Sequence, residues 1–383
     1  MKFFHLSDLH IGLRLFNRDL YDDQTYILKQ ICDLAGAHQP DAVVIAGDLY
    51  DKAVPSAEAV KIFDQFLADL RAAVPQAEIM MISGNHDSAQ RLNLYRGILS
   101  GEHIHMIGLP PQEEKDRIEV VTLSDSFGPV NFYLLPFVKP SMVKNIVGTD
   151  KDGNNLSYDE TLKALLSREE IPGDQRNVLV SHQFYLPEGK DPEKIDRAES
   201  EIRTVGNIDQ VSASVLSPFD YAALGHIHKP MKVGSEYYRY CGTPIPCSVS
   251  EAGQQKAVLM ADLEEKGTVT VTALPLTPLH QIRILEGPLE DVLTKPSEDY
   301  VTVLLTDQED LDPLDMQDRL RSAFPNLLEI RRKNLRQLNY TMDAPDGEIP
   351  DPFTLCCQFL NEPSQEDQAL LAEVINRAVE VQT

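Results

Sequence analysis

The sequence lacks several features that would assign it to a common class. Its 383 residues include only five cysteines, which form no CxxC pair and no regular framework. No GxxxxGK[ST] segment is present, so any ATP dependence would come from a partner. Asp8 and His10 interrupt the first apolar patch well before the length of a signal peptide or membrane span. We therefore expect reduced thiols, a cytoplasmic location and no membrane partner.

Basic residues are also scarce. Lys and Arg number 35 against 60 Asp and Glu, which gives a formal net charge of −25. Nonspecific binding to nucleic acid depends on clustered basic residues, so the charge alone argues against DNA as a partner. The charge is uneven, however, because residues 341–383 hold nine acidic side chains and one basic one. Bound divalent cations would also cancel negative charge locally, so the net charge is weak evidence for or against DNA as a partner.

Five short runs place metal-type ligands directly after apolar stretches. The stretches, at residues 3–6, 42–46, 79–82, 178–180 and 221–224, are predicted buried strands. Because ligands in open α/β sheets gather at the carboxyl ends of strands, we expect the five runs to meet in one crevice. The runs are Asp8-Leu9-His10, Gly47-Asp48-Leu49-Tyr50-Asp51, Gly84-Asn85-His86-Asp87, Ser181-His182 and Gly225-His226-Ile227-His228.

The order and spacing of these runs predict a two-metal phosphoesterase centre. Asp48 is the candidate bridge, since two divalent cations need a shared ligand and a carboxylate has two oxygens. The mixed nitrogen and oxygen donors fit Mn, Fe or Zn better than Ca or Mg. The other predicted ligands are Asp8, His10 and His228 for one cation, and Asn85, His182 and His226 for the second.

His86 is the candidate catalytic residue. It follows a predicted ligand directly and would point toward the substrate, where an imidazole can donate to a phosphate oxygen or protonate the leaving group. Asp51 or Asp87 could orient that imidazole. A lone Asp-x-His is weak evidence, and structural histidines are a fair alternative for Gly-His-Ile-His, but the joint occurrence of the five runs favours a metal centre. The expected surface or packing histidines are His5, His38, His103, His105 and His280.

The hydrophobic pattern predicts an α/β organisation with a boundary near residue 276. Half-buried helices are predicted over residues 20–37 and 56–73. From residue 237 onward, short strands over 237–240, 257–263 and 269–273 predict an antiparallel finish. Beyond residue 276 the predicted elements are strands over 281–285, 301–305 and 327–332, helices over 288–293 and 313–323, a linker over 343–351, and helical stretches over 353–359 and 364–379.

The five runs match the pattern DxH, GDxxD, GNH[DE], H and GHxH, and the chain resembles the calcineurin-like metallophosphoesterases. Within that superfamily, residues 4–12, 47–51 and 241–246 are similar to the bacterial SbcD family of nuclease subunits. Thr243 stands where Ser is common in that family. The resemblance implies a four-layer α/β/β/α sandwich over residues 1–275, a small α/β cap that is a candidate DNA-contacting domain over 276–345, and a linker and helical tail over 346–383.

The resemblance also implies an activity and partners. It implies a DNA nuclease with two divalent cations, manganese being the expected metal, that acts as an exonuclease on duplex ends and an endonuclease on single strands and hairpins. The family acts in DNA repair, recombination and replication as a homodimer within a heterotetramer with SbcC, an ABC-type ATPase with a long coiled coil. By position, the chain keeps all seven family ligands and the catalytic histidine, His86.

Two surfaces beyond residue 276 have predicted partners. The candidate phosphate contacts in the cap are Arg331, Arg332, Lys333 and Arg336, and a solvated strand edge is the alternative. The tail is the candidate docking segment for the ATPase, and a hairpin packed on its own cap is the alternative. The apolar residues of the tail are Leu355, Phe359, Leu370, Leu371, Val374, Ile375 and Val379.

Other functions of the superfamily remain as alternatives. A phosphatase or phosphodiesterase acting on a small molecule or protein would share the metal centre, but the phosphatase pattern usually carries an Arg after GDxxD. Lys52 stands at that position. A non-catalytic metal-binding scaffold would typically lose ligands or the GNH histidine, whereas this chain keeps them.

Overall fold

The computed structural model describes residues 1–94, 96–187, 189, 201, 209–307, 311–333, 352–360 and 364–380. The chain divides into two units, Met1–Lys333 and Asn334–Thr383.

The strands are β1 (Lys2–Leu6), β2 (Arg14–Leu15), β3 (Arg18–Asp19), β4 (Ala42–Ile45), β5 (Glu78–Ile82), β6 (Ile104–Ile107), β7 (Glu119–Asp125), β8 (Gly128–Leu135), β9 (Arg176–His182), β10 (Phe184–Leu186), β11 (Gln210–Ser212), β12 (Tyr221–Gly225), β13 (Met231–Lys232), β14 (Tyr238–Tyr240), β15 (Lys256–Leu263), β16 (Val269–Leu276), β17 (Ile282–Gly287), β18 (Tyr300–Leu305) and β19 (Leu327–Arg332). The α-helices are α1 (Tyr21–His38), α2 (Ala57–Ala73), α3 (Ala89–Leu92), α4 (Arg96–Leu99), α5 (Pro140–Val147), α6 (Tyr158–Leu166), α7 (Leu289–Leu293), α8 (Pro313–Ala323), α9 (Pro352–Phe359) and α10 (Gln365–Glu380).

Two six-stranded sheets form the larger part of the first unit. The first sheet has the order β16-β15-β1-β4-β5-β6, in which β1, β4, β5 and β6 are parallel and β15 pairs antiparallel with β1 and β16. The second has the order β13-β14-β12-β9-β8-β7, with four parallel central strands and antiparallel edges. The predicted antiparallel finish is therefore confirmed for β15 and β16. It is wrong for β14, which pairs parallel with β12.

The sheets stack face to face because their central strands are apolar on both faces. One core, which includes Phe3, Phe132 and Tyr221, lies between the sheets. A second core packs the outer face of the first sheet against α1 and α2, and a third packs α5 and α6 against the second sheet. This arrangement is the predicted four-layer α/β/β/α sandwich. Strands that are buried on both faces have continuous apolar sequences, which explains why these strands could be predicted from the sequence.

The helices α1 and α2 end close to the predicted bounds. Ser56 caps α2, since its side chain accepts a hydrogen bond from the Ala59 amide at 3.1 Å. Phe63, Phe66 and Leu70 then follow at helical spacing and are buried. Each such side chain contributes roughly 1.5–3 kcal/mol of burial free energy, so packing on the sheet fixes this helix.

A small three-stranded parallel sheet, in the order β17-β18-β19, follows the sandwich within the first unit. It has its own hydrophobic core, formed with α7 and α8 and centred on Val301, Val303 and Leu320. Tyr300 and His280 contact Asp23 of α1, with a Tyr300 hydroxyl to Asp23 Oδ2 distance of 2.8 Å. The strands and helices expected beyond residue 276 are thus present, and the domain bounds at residues 276 and 346 stay a prediction.

The described part of the second unit consists of α9 and α10. Several large apolar side chains on these helices are exposed within the chain, among them Phe359, Leu370 and Val374. The predicted linker over residues 343–351 and Arg336 lie outside the described residues.

Candidate metal centre

The turn after β1 brings Asp8 and His10 to the carboxyl edge of the first sheet. Both residues have left-handed backbone conformations, with φ of 53° and 42°. Their amides donate to carbonyls of the turn after β4, from Asp8 to Gly47 at 2.9 Å and from His10 to Asp48 at 3.0 Å. A left-handed conformation is unfavourable for residues other than glycine, and such strain concentrates at functional sites. The two turns therefore hold each other in place.

Asp48 also has a left-handed conformation, with φ of 51°, and its neighbours leave it little space. A Cβ atom at Gly84 would lie 2.1 Å from Asp48 Oδ1, and one at Gly47 would lie 2.4 Å from His182 Nδ1. Neither position accepts a side chain without displacement of a predicted ligand. Gly47 is thus required both by close approach and by its φ of 88°, whereas Gly84 is required by close approach.

The first predicted ligand group comes together as expected. The ligand atoms of Asp8, His10 and His228 lie within 4.8 Å of one another. The Nε2 atoms of His10 and His228 are 3.1 Å apart, and His10 Nε2 is 3.8 Å from Asp48 Oδ2. These side chains are almost completely buried, so their donor atoms face each other and not solvent.

The second predicted group shares Asp48 with the first. Asp48 Oδ2 is 3.3 Å from His182 Nε2. Asn85 Oδ1 lies 3.0 Å from His182 Nε2 and 2.9 Å from His226 Nδ1. The Asp48 carboxylate therefore lies between the two groups, where a bridging ligand would stand.

The donor set fits divalent cations. Among the described residues, the buried Nδ1 atom of His10 has no hydrogen-bond partner. Two imidazole nitrogens that face each other at 3.1 Å need a proton or a cation between them. Nitrogen and oxygen donors together suit Mn, Fe or Zn. The seven residues can thus hold two such cations, with Asp48 shared.

The buried carboxylates of the cluster also favour the presence of positive charge beside them. Burial raises the pKa of Asp8. Burial also opposes ionisation of Asp48, but the adjacent His182 and His10 imidazoles outweigh it and hold the pKa of Asp48 below its ordinary value. Although burial opposes charge on His182, the Asp48 and Asp8 carboxylates raise its pKa to about 9. A bound cation would take the place of such protons.

His86 lies at the border of this cluster. Its amide donates to Asp48 Oδ1 at 2.8 Å, and its ring centre is 4.8 Å from that of His10. The His86 Nδ1 atom donates to the main-chain carbonyl of Asp51 at 2.9 Å. The Asp51 main chain, and not its carboxylate, therefore orients the imidazole. The Asp51 carboxylate instead has its Oδ1 3.8 Å from His10 Nδ1.

Asp87, the other residue expected to orient His86, has a different position. Its carboxylate accepts hydrogen bonds from the amides of Leu49, Tyr50 and Gly84 at 2.9–3.1 Å. Burial, together with the charge of Asp48, raises the pKa of Asp87 to about 7. Asp87 thus links the GDxxD and GNH turns. Its carboxylate oxygens are hydrogen-bonded to main-chain amides of these turns and not to the His86 imidazole.

A buried Glu251–Lys256 ion pair lies behind His228 and was not found from the sequence. Glu251 Oε1 is 3.6 Å from His228 Nδ1, and Glu251 Oε2 is 2.6 Å from Lys256 Nζ. Both residues follow the last motif by more than twenty positions, with no characteristic spacing to it. The Ser248-x-x-Glu251 pattern is typical of a helix start and gave the only local signal.

The other predicted sites have mixed outcomes. In the basic cluster at the end of β19, Arg331 pairs with Glu329 at 2.8 Å and Lys333 pairs with Glu286 at 2.5 Å, so acidic neighbours compensate much of the charge of the cluster. His5 is buried between the sheets, with Nδ1 3.0 Å from the Tyr221 hydroxyl, as a packing residue. None of the helices that the structure describes is both long and apolar enough to span a membrane.

Comparison with known sequences agrees with this geometry. Residues 1–230 match the family model described as calcineurin-like phosphoesterase, and residues 277–349 match SbcD_C, described as type 5 capsule protein repressor C-terminal domain. A curated relative, the D subunit of the SbcCD nuclease from Staphylococcus epidermidis, is 30% identical over 338 residues, which cover 86% of this chain and 85% of the relative.

Similar solved structures have lower identity. TT1561 of Thermus thermophilus matches 71% of this chain and 98% of its own, with a TM-score of 0.40 and 14% identity. A dimetal phosphatase from Danio rerio matches 71% of this chain and 95% of its own, with a TM-score of 0.42 and 16% identity. From its two sequence domains and its curated relative, the chain belongs to the calcineurin-like phosphoesterases, which are metal-dependent phosphoester hydrolases, and within them to the SbcD nuclease family.

Proposed function

We propose that the chain is a manganese-dependent DNA nuclease that acts as an exonuclease on duplex ends and as an endonuclease on single strands and hairpins. The observation that carries the proposal is the cluster of seven donor side chains, Asp48 among them, with His86 at its border. The name of the Staphylococcus epidermidis relative supports nucleic acid as the substrate.

In this proposal the two ligand groups keep their predicted membership. Asp8, His10 and His228 would hold one cation, and Asn85, His182 and His226 would hold the other. Asp48 contributes to both. When bound, the cations would lower the pKa of a bound water and stabilise negative charge on the phosphate.

His86 is proposed to supply the proton for the leaving group. Because a main-chain carbonyl only accepts hydrogen bonds, the contact with Asp51 requires a proton on His86 Nδ1. The Nε2 atom is then the nitrogen that can exchange a proton with the substrate. Asp51 acts through its main chain as a positioning residue and keeps the ring at a fixed angle.

We further propose that the protein works in DNA repair, recombination and replication in the cytoplasm as the SbcD subunit of an SbcC–SbcD complex. The tail supports this, because exposed apolar residues such as Phe359 and Leu370 offer a surface for a coiled-coil partner. Because the sequence has no Walker-type loop, any ATP hydrolysis by the complex would come from that partner. A homodimer within a heterotetramer is the proposed assembly, and light scattering of the purified complex tests it.

The deciding experiment measures cleavage of a hairpin-ended DNA duplex with Mn²⁺, with and without the ATPase partner. We expect cleavage by the wild type and its loss in His86→Ala. His103→Ala is the matched control, because His103 is half exposed and pairs with Glu78 outside the centre. A folded, metal-loaded protein that cuts bis(p-nitrophenyl) phosphate but no DNA would contradict the nuclease proposal and favour a small-molecule phosphodiesterase.

A further inference from the structure

We propose that Glu251 is a positioning residue for the metal centre: it holds the His228 imidazole from the side opposite the ligand cluster, with Lys256 as its buried counter-ion. The inference rests on the proposed role of His228 as a metal ligand. It does not depend on which phosphoester the enzyme cuts.

The two ring nitrogens of His228 face different partners. The Nε2 atom faces His10 Nε2 at 3.1 Å, within the ligand cluster. The Nδ1 atom faces Glu251 Oε1 at 3.6 Å, and both side chains are at most 3% exposed. A carboxylate at Nδ1 favours the tautomer with its proton on that atom and leaves the Nε2 lone pair for a cation. Metal-bound histidines almost always have such a partner on the second nitrogen.

Lys256 fixes Glu251 and His228 at the same time. Its ammonium group donates to Glu251 Oε2 at 2.6 Å and to the main-chain carbonyl of His228 at 3.1 Å. A third hydrogen bond reaches Thr243 Oγ1 at 2.8 Å. A buried carboxylate without a counter-ion would be strongly disfavoured, so Lys256 lets Glu251 stay charged beside the imidazole. Through this hydrogen bond Thr243, which lies fifteen positions after the GHxH run, also belongs to the network.

The local backbone holds the carboxylate in one orientation. Glu251 ends a short 3-10 helix, Val249–Glu251, and its Oε1 accepts hydrogen bonds from the Cys247 amide at 3.1 Å and the Ser248 hydroxyl at 3.2 Å. Oε1 is therefore held by the turn while it faces His228. A carboxylate fixed at both oxygens can restrict the rotation of the imidazole, as required of a positioning residue.

A separate cation site behind His228 is the competing interpretation. The ligand atoms of His228, Cys247 and Glu251 lie within 4.8 Å of one another. The Lys256 ammonium already binds Glu251 and would repel a further cation. Burial also raises the pKa of the Cys247 thiol, and a protonated thiol is a poor ligand. The network therefore favours support of His228 over a third metal.

The test compares Mn²⁺ binding to the full chain by calorimetry for the wild type and Glu251→Gln. We expect one of the two ions to bind roughly 10- to 100-fold more weakly in the variant. The absorption spectrum of the Co²⁺-loaded protein should change as well, since the ligand field depends on the orientation of His228. Asp125→Asn is the matched control, because it breaks a largely buried ion pair with Arg176 outside the centre and should leave Mn²⁺ affinity unchanged.

A double-mutant cycle separates positioning from general destabilisation. Adding Glu251→Gln to His228→Gln should weaken Mn²⁺ binding no further than His228→Gln alone. Glu251→Asp, which keeps the charge but withdraws the carboxylate, should bind Mn²⁺ more weakly than the wild type and serves if the Gln variant does not fold. Wild-type affinity in either Glu251 variant, an equal loss in Asp125→Asn, or loss of an ion in Cys247→Ser would overturn the inference. Metal affinity is measured without DNA, so failure of the nuclease proposal would not affect these results.

Discussion

The Nε2 atoms of His10 and His228 lie 3.1 Å apart, although 218 positions separate the two residues in the sequence. His10 follows β1 of the first sheet, whereas His228 follows β12 of the second. The contact therefore forms only when the two sheets stack. Stability of the sandwich and assembly of the metal centre are coupled for this reason.

Mn²⁺ should stabilise the fold measurably. A ligand that binds only the folded state at 100 times its dissociation constant adds about 2.7 kcal/mol to the free energy of unfolding. We expect the melting temperature of EDTA-treated protein to rise with Mn²⁺ and to rise less with Ca²⁺, which prefers oxygen donors. Differential scanning calorimetry checks this, and equal melting temperatures with and without Mn²⁺ would contradict the proposed ligand set.

His86→Ala should separate catalysis from metal binding. The imidazole donates to the Asp51 carbonyl, and the hydrogen bond from His86 to Asp48 comes from the main-chain amide. We expect single-turnover cleavage of hairpin DNA to slow by roughly 10²- to 10⁴-fold, since proton transfer is lost. Calorimetric Mn²⁺ affinity should remain within a few-fold of the wild type. Loss of both properties together would make His86 a ligand instead.

Gly84→Ala should damage the centre through a single methyl group. The added Cβ would lie 2.1 Å from Asp48 Oδ1, so the carboxylate or the turn must move. We expect a loss of roughly 1–3 kcal/mol in the free energy of unfolding and Mn²⁺ binding at least tenfold weaker. Gly173→Ala is the control, because nothing lies within 4 Å of its Cβ position. Chemical denaturation and calorimetry provide the two readouts, and wild-type Mn²⁺ affinity would show that Asp48 tolerates the shift.

Asp125→Asn should lower stability in a pH-dependent way. The Arg176 guanidinium, together with the amino-terminal ammonium, holds the pKa of Asp125 below its ordinary value. A carboxylate with a lowered folded-state pKa stabilises the fold above its unfolded pKa of about 3.9, and this contribution is lost as pH falls through the lower value. We expect a cost of about 1–2 kcal/mol at pH 7, reduced because the carboxylate is partly exposed.

The measurement is urea denaturation of the wild type and Asp125→Asn from pH 7 down to pH 3. The difference in unfolding free energy should be constant near neutrality and narrow below about pH 4. A difference that widens in acid would contradict the assigned direction of the pKa shift.

Removal of residues 350–383 should abolish co-purification with a coiled-coil ATPase partner. These residues include α9 and α10, whose exposed Phe359, Leu370 and Val374 are the proposed contacts. Hydrolysis of small phosphodiesters should persist, because the seven predicted ligands lie in the other unit. Unchanged co-purification would refute docking through the tail, and Phe359→Ser with Leu370→Ser tests the apolar surface more narrowly.

The sequence was most informative where side-chain chemistry follows a strand buried on both faces. The approach of Asp8 and Asp48 could be predicted because parallel strands end at one edge of a sheet. His182 ends β9 of the second sheet and reaches Asp48 only when the two sheets stack. The hairpin of β7 and β8 was not predicted, since its apolar residues are followed by no ligand and belong to no recognised motif. The parallel pairing of β14 was missed because a short apolar segment does not encode its direction.

Contacts across the sandwich were least accessible from sequence. Glu251 and Lys256 contact His228 only because tertiary packing brings them together, so no spacing in the sequence predicts these contacts. The role of the Asp51 main chain was missed for a similar reason, because a carbonyl group carries no residue-specific signal. Sequence patterns identify the donors of the site, whereas the partners that orient them depend on the folded backbone.

The position of β15 between β1 and β16 has a consequence for synthesis. Residues 256–263 pair with the first strand of the chain, so the first sheet stays incomplete until about two-thirds of the polypeptide has been made. Such long-range pairing is slow to form and exposes an unpaired edge of β1 in the meantime. A nascent chain therefore presents Asp8 and His10 long before it can present His226 and His228. We expect ribosome-bound fragments shorter than this point to be unable to bind metal as the complete protein does, which delays hydrolytic activity until the enzyme is folded.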